Sequence, residues 1–93
     1  MPRYFFDTWD DRFALVDDEG SELDGHDAAI VMALRGLGDM TKEAVIDALG
    51  RPASHARVEV RNAIGSVIFA ATSSWRIERS PETQRPASGR HDL

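Results

Sequence analysis

One long amphipathic segment, residues 24–49, most constrains the fold of this chain, because it lies between two pairs of predicted strands. At about 100° per residue, nine of its apolar side chains fall within one arc about 160° wide, which predicts a helix with a single packing face. They are Ala29, Ile30, Ala33, Leu34, Leu37, Met40, Ala44, Val45 and Ala48. Asp24 is the expected N-cap, and Gly50 with Pro52 ends the helix. Gly36 and Gly38 each cost about 1 kcal/mol relative to alanine, but we expect the helix to continue through them.

The segments on either side of this helix have the patterns of β-hairpins. Residues 3–8 are rich in aromatic side chains, and residues 13–16 return after an acidic turn. Residues 57–61 alternate valine with charge, and residues 66–72 form the partner strand. Asn62 to Gly65 has the composition of a type I turn followed by a left-handed glycine.

The element order ββαββ therefore predicts an α+β fold in which one long helix packs on a four-stranded, mainly antiparallel sheet. We expect the spatial strand order 2-1-3-4, with Tyr4, Phe6, Val67 and Phe69 on one face of the sheet and Phe5, Ile68 and Ala70 on the other. The chain has 93 residues, which is enough for one core, so residues 1–79 are predicted to form a single domain. Residues 80–93, rich in proline, serine and charge, are predicted to be a disordered tail.

Composition excludes several classes of function. The chain contains no cysteine, so disulfides, zinc–thiolate sites and cysteine nucleophiles are excluded. It lacks the pattern of a signal peptide or a membrane span, which predicts a cytoplasmic protein without membrane contact. Residues 1–50 carry four basic and twelve acidic side chains, and residues 51–93 carry seven and four. A net charge of −5 disfavours general nucleic-acid binding.

The length of the predicted helix favours self-association. About 25 helical residues span about 37 Å, whereas six-residue strands span about 20 Å, so the apolar arc is expected to overhang the sheet. We therefore predict a non-enzymatic protein-interaction module that pairs with itself as a homodimer or with another protein. One helix also covers only one face of the sheet, and the alternative to pairing is that Trp75, Ile77 and the tail fold over the remainder. The predicted dimer interface consists of Leu37, Met40, Ala44, Val45, Ala48 and Leu49.

No motif predicts catalysis, a cofactor or a metal site. The acidic residues between Asp7 and Asp24 do not follow the spacing of a calcium loop, which favours solvated turn carboxylates. His26, His55 and His91 lack the spacing of a helical metal site and have no obvious nucleophile beside them. We accordingly predict that the protein is not an enzyme.

A second interpretation rests on the arginines of the second hairpin. Cationic side chains beside an aromatic side chain such as Trp75 can form a surface that binds nucleic acid. The residues that would contact the nucleic acid are Arg57, Arg61, Arg76 and Arg79. Glu59 and Glu78 are interspersed among them, which is more typical of a solvated, salt-bridged face. Regulatory nucleic-acid binding, or an antitoxin-like role, is therefore the alternative function.

The opening Met-Pro-Arg-Tyr-Phe-Phe, together with Asp18-Glu19-Gly20, Asp27-Ala28-Ala29 and Val58-Glu59-Val60-Arg61, resembles a family of small uncharacterised bacterial proteins abundant in rhizobia and related alphaproteobacteria. The resemblance covers about residues 1–78 and implies no activity, cofactor or catalytic residue. Many members of that family have histidine where this chain has Asp7, so no shared histidine chemistry is implied there. The ββα opening is also similar to that of antitoxins with a partial ribonuclease-H-like fold, which is an analogy of fold.

Overall fold

The computed structural model describes residues 1–50 and 53–78. These residues form, in chain order, β1 (Arg3–Asp10), β2 (Ala14–Leu15), β3 (Ser21–Glu22), α1 (His26–Asp47), β4 (His55–Arg61) and β5 (Val67–Ser74). The predicted α+β fold, one long helix with a mainly antiparallel sheet, is confirmed. The predicted tail, residues 80–93, lies outside the described residues, as does Arg79. No helix among the described residues combines the length and the apolar character that a membrane span requires.

The sheet has the strand order β2-β1-β4-β5, which is the spatial order predicted from the sequence. All its pairings are antiparallel, and Phe6 lies opposite Val60 while Thr8 lies opposite Val58. The structure contains a fifth short strand, β3, in addition to the four that the sequence predicts. β3 pairs with the start of β1, so that Arg3 lies opposite Glu22. β2 and β3 thus follow one another along the same edge of β1.

Asp17 bridges the gap between β2 and β3. Its carboxylate accepts hydrogen bonds from the backbone N–H of Phe6 at 3.0 Å, Glu19 at 3.1 Å and Gly20 at 3.0 Å. Gly20 has φ +75°, a left-handed conformation that glycine adopts without steric cost. The Asp17 side chain therefore satisfies the N–H group of Phe6 in β1 at a point where no strand lies beside it.

The turn between β4 and β5 has the predicted geometry. Gly65 has φ +92°, and its N–H donates to the carbonyl of Asn62 at 3.0 Å. The side-chain oxygen of Asn62 accepts from the N–H of Ser66 at 2.8 Å and of Ile64 at 3.2 Å. Asn62 therefore organises the turn with its side chain, as asparagine commonly does.

The helix is shorter than predicted and differently capped. It spans 22 residues, and its N-cap is Gly25, with no hydrogen bond from a capping side chain. The predicted cap, Asp24, is therefore wrong by one residue. The helix is continuous through Gly36 and Gly38, as expected, and the chain leaves it through turns in which Ala48 N–H donates to Ala44 O and Gly50 N–H to Asp47 O.

The core lies between α1 and the middle of the sheet. Ala29, Ala33 and Leu37 of the helix are buried against the central strands. Small side chains at the first two positions let the helix lie close to β4 and β5, above which it runs. The sheet contributes Tyr4, Ala56, Val58 and Val60 to this core, and Phe6, Phe69, Ala71 and Trp75 pack around it.

A β-bulge in β5 changes which of its side chains face the helix, compared with the sequence prediction. Val60 lies opposite Phe69, but Arg61 lies opposite Val67, so Ile68 is an extra residue in β5. Ile68 packs against the core, whereas Val67 is exposed. The prediction that Val67 shares a face with Phe69, and that Ile68 points away from the core, is therefore wrong, because the bulge changes the alternation.

The difference in length between the helix and the strands is smaller than the sequence predicts. A helix of 22 residues is about 33 Å long, and a strand of eight residues, such as β1 or β5, is about 26 Å long. Part of the remaining overhang is covered within the chain. Trp75 packs against the core beyond β5, and Arg12, from the turn after β1, forms an ion pair with Asp47.

Candidate functional site

The predicted dimer interface is only partly available in the folded chain. Leu37 is 8% exposed because it packs in the core, and Ala44 is 2% exposed. Met40 also packs against the core. The accessible part of the predicted set is Val45 and Ala48, which are half-buried, and Leu49, which is 65% exposed.

β5 is an edge strand of the sheet and carries no charge. It spans eight residues and pairs with β4 along one side. No charged residue occurs in the sequence between Arg61 and Arg76, and the strand itself contains no proline. Charged residues and prolines are the usual means of preventing an edge strand from pairing with another chain, and β5 itself carries neither of these protections.

A row of helix side chains borders this edge. The hydroxyl groups of Thr41 and Ser73 are 2.6 Å apart, which fixes this side of α1 above β5. Ile30, Leu34 and Val45 lie on the same side of the helix as Thr41, at helical spacings from it. Leu34 is exposed, and Ile30 and Val45 are half-buried. The sequence prediction included Val45 but missed Ile30 and Leu34, although their four-residue spacing was a readable signal.

The predicted nucleic-acid contacts are neutralised within the chain. Arg57 Nη2 lies 3.0 Å from Glu59 Oε2, and Arg57 also donates to the hydroxyl of Thr72. Arg76 Nε lies 3.1 Å from Glu78 Oε2. Arg61 pairs with Asp7, described below, while Arg79 lies outside the described residues. The three described arginines are therefore engaged by carboxylates, which reduces the positive potential that phosphate groups require.

Asp7, on the sheet face opposite the helix, is the most buried charged residue in the described part of the chain. Asp7 is 6% exposed, and Arg61 donates to it from Nε at 2.6 Å and from Nη2 at 3.1 Å. The same Nη2 also donates to the carbonyl of Asp17 at 2.9 Å, and the guanidinium lies over the ring of Phe5 at 5.0 Å. The hydrogen bond from Arg61 lowers the pKa of Asp7, so the carboxylate stays ionised.

The acidic turns hold the fold together rather than forming a solvated cluster. The carboxylate of Asp11 accepts from the backbone N–H of Ser54 at 3.1 Å and of His55 at 3.0 Å, and lies 2.8 Å from His55 Nδ1. His26 packs edge-on against Tyr4 at 5.8 Å, and His91 lies outside the described residues. Among the described residues, no group of three or more potential ligands is arranged to hold a metal ion.

A cleft of about 610 Å³ opens between the C-terminal half of α1 and the turn after β1. Arg12 crosses it and pairs with Asp10 at 2.9 Å and with Asp47. The other lining residues are Phe13, Met40, Glu43, Ala44, Ile46 and Gly50. A smaller hollow next to it shares Asp10, Phe13 and Met40 and adds Thr8, Trp9 and Leu15. Sequence reasoning did not identify this cleft, since it depends on where the helix lies over the sheet.

Comparison with curated proteins and with solved structures gave no match. A family model matches residues 3–74, which include every strand and the helix described above. The matched region covers most of the 93 residues. The chain belongs to the family described as the domain of unknown function DUF6894.

Proposed function

We propose that this protein is a cytoplasmic, non-enzymatic interaction module that acts as a homodimer, in which β5 of one chain pairs antiparallel with β5 of a second copy. The observation that carries the proposal is the uncharged, eight-residue edge of β5. The opposite edge of the sheet differs, since β2 has two residues and acidic Asp17 and Asp18 follow it closely. Short strands and charged side chains disfavour pairing between chains at that edge.

Antiparallel pairing of two identical strands requires a two-fold axis perpendicular to the sheet, which puts both helices on the same face. Strands in a sheet are about 4.8 Å apart, so helices that run above β4 and β5 would lie about 10–14 Å from each other. The lower value is within the usual distance for packed helices. The row formed by Ile30, Leu34 and Val45 would then be covered by its counterpart.

The experiment compares two pairs of lysine substitutions by sedimentation equilibrium at tens of micromolar protein. Ala70 and Thr72 are exposed on β5, on the face away from the helix. We expect the wild-type chain to be a dimer and Ala70→Lys with Thr72→Lys to be a folded monomer, since lysine on an edge strand opposes pairing. The matched control, Ala63→Lys with Ser66→Lys, adds the same charge in the exposed turn and should remain dimeric.

Two results would overturn the proposal. The first is a wild-type chain that is strictly monomeric at this concentration. The second is a dimer that both lysine pairs leave intact. Val45→Asp adds a further arm, because Val45 is half-buried on the helix flank above β5 and its substitution should weaken the dimer without removing a fully buried side chain. Leu37→Asp does not serve this purpose, since Leu37 is buried within the chain.

A further inference from the structure

The helix covers one half of the sheet and leaves the other half open. Four strands at a spacing of about 4.8 Å make a sheet about 19 Å wide, whereas a helix with its side chains is about 10–12 Å across. α1 runs above β4 and β5, and its N-terminal end covers Tyr4 on β1. Beyond Tyr4, the midline between β1 and β2 lies two strand spacings, about 10 Å, to the side of α1, which is the usual distance between the axes of two packed helices.

This open half carries exposed apolar side chains. Phe13 is 61% exposed and Leu15 is 68% exposed, although both border the hollow that Thr8 and Met40 line. Phe6, on the helix-facing side of β1, is half-buried. Ile46 extends the apolar surface along α1 into the larger cleft. Large apolar side chains that line a concave surface are typical of a binding site.

The rim of the same groove is acidic. Glu43 and Asp47 line the cleft at a four-residue spacing along α1. Asp39 continues this row of carboxylates by one more helical turn, outside the lining itself. Asp10 stands on the opposite wall. Arg12 is the one cation among the residues that line the cleft, and it is already paired with Asp10 and Asp47. The lining therefore has two more negative than positive charges.

We infer that this groove binds a basic amphipathic helix of a partner protein, which lies beside α1 over β1 and β2 with its apolar face against Phe13, Leu15 and Met40. Charge selects this occupant. A second copy placed groove to groove would bring two acidic rims together, which is unfavourable. The chain's own residues 79–93 are a poor alternative occupant of the groove. Their apolar residues are two prolines, Ala87 and Leu93, which are too few to form the apolar face of a helix.

The probe is a synthetic peptide of about 18 residues, whose helix would be about 27 Å long and so match β1, with leucine on one face and lysine on the other. The same sequence with glutamate in place of lysine is the charge control. A leucine–lysine peptide of equal composition with two-residue alternation is the control for helical pattern.

Backbone resonances of isotope-labelled full-length protein report the position of binding. We expect the leucine–lysine helix to shift the resonances of residues 13–15 and 40–47, and both control peptides to bind at least about tenfold more weakly.

Two variants test the two parts of the groove. Phe13→Ser with Leu15→Ser removes exposed apolar side chains, and Glu43→Lys reverses a charge on the rim; each should weaken binding at least about tenfold. The matched control, Ile64→Ser with Ile77→Ser, removes two exposed apolar side chains elsewhere and should bind as the wild-type protein does.

Several outcomes would refute the inference: no shifts, shifts confined to another surface, or equal binding of the lysine and glutamate peptides. Conversion of a wild-type dimer to monomers by Phe13→Ser with Leu15→Ser would also refute it, since the groove would then be the self-interface. Ala70→Lys with Thr72→Lys should keep peptide binding. Failure of the β5 dimer and failure of the groove are therefore distinguishable.

Discussion

Arg61 of β4 holds Asp7 of β1 through two hydrogen bonds across the sheet, although 54 residues separate them in the chain. Their strands are neighbours, and Asp7 lies opposite Glu59 while Phe5 lies opposite Arg61, so the ion pair runs diagonally between strands. Arg61 Nη2 also reaches the Asp17 carbonyl. This one guanidinium therefore joins β4 to β1 and to the segment between β2 and β3.

Asp7→Ala should destabilise the protein strongly. It leaves Arg61 without its carboxylate partner, and removal of one member of a buried ion pair costs roughly 3–5 kcal/mol. Since the side chain of Arg61 is 26% exposed, water can solvate part of the released charge and we expect about 3 kcal/mol. Urea unfolding followed by circular dichroism measures the change. Glu22→Ala, which removes the exposed pair with Arg3, is the control and should cost less than about 1 kcal/mol.

Stability should fall in acid. The pKa of Asp7 is lowered from 3.8 by the hydrogen bond from Arg61. Burial acts to raise the pKa of Asp17, but hydrogen bonds from the N–H groups of Gly20, Phe6 and Glu19 outweigh it and lower that pKa as well. A carboxyl whose folded pKa is below its unfolded pKa contributes stability above the unfolded value, about 3.9, and loses it as pH falls through the folded value.

The free energy of unfolding should therefore be level near neutral pH and decline from about pH 5 downward. Urea titrations at a series of pH values measure this profile. Asp7→Asn supplies the comparison, because it removes one of the titrating groups and should flatten the acid limb. A variant that is less stable at neutral pH but loses stability in acid as steeply as the wild-type protein would contradict the role given to Asp7.

Gly20 and Gly65 form a matched pair for testing backbone conformation against steric contact. Both have positive φ, +75° and +92°. A Cβ at Gly20 would lie 2.9 Å from the carbonyl oxygen of Tyr4 and from side-chain atoms of Arg3 and Phe5, whereas a Cβ at Gly65 meets no heavy atom within 4 Å. Gly65→Ala should cost about 1–2 kcal/mol for the left-handed conformation alone.

Gly20→Ala should cost clearly more than Gly65→Ala, because it adds a clash with the β1 backbone to the same conformational cost. Thermal or urea unfolding of the two variants side by side measures the difference. Equal losses would mean that the loop around Gly20 moves away from β1 without penalty, and that the hydrogen bonds to Asp17 do not hold it in place.

Local pattern made most of the architecture readable from the sequence. The helix arc, the alternation of Val58 and Val60 and the turn at Asn62 and Gly65 each depend on neighbours in the chain, and each was predicted correctly. Strand order followed from these elements by the rule that connections are short and neighbours pair. The boundaries were less accurate, since strand length is set by pairing between segments far apart in sequence.

What the sequence could not provide were features that depend on tertiary contact. The bulge at Ile68 is a shift in register between two strands, and no residue type in the sequence predicts it. The burial of Leu37 and the exposure of Leu34 depend on the rotation of the helix about its axis. The sequence pattern predicts a solvated turn carboxylate at Asp7, because its partner Arg61 is distant in sequence and on another strand.

Gly36→Ala and Gly38→Ala should each stabilise the protein. Both glycines lie inside α1, and a Cβ at either position meets no heavy atom within 4 Å. Alanine in a helix interior is favoured over glycine by about 0.8–1.0 kcal/mol, so the double variant should gain about 2 kcal/mol if the sites are independent. Thermal unfolding measures this gain, and each kcal/mol corresponds to about 4–8 °C in Tm for a domain of this size. A variant that is less stable, or that loses its dimer, would mean that another chain approaches the helix backbone at these glycines.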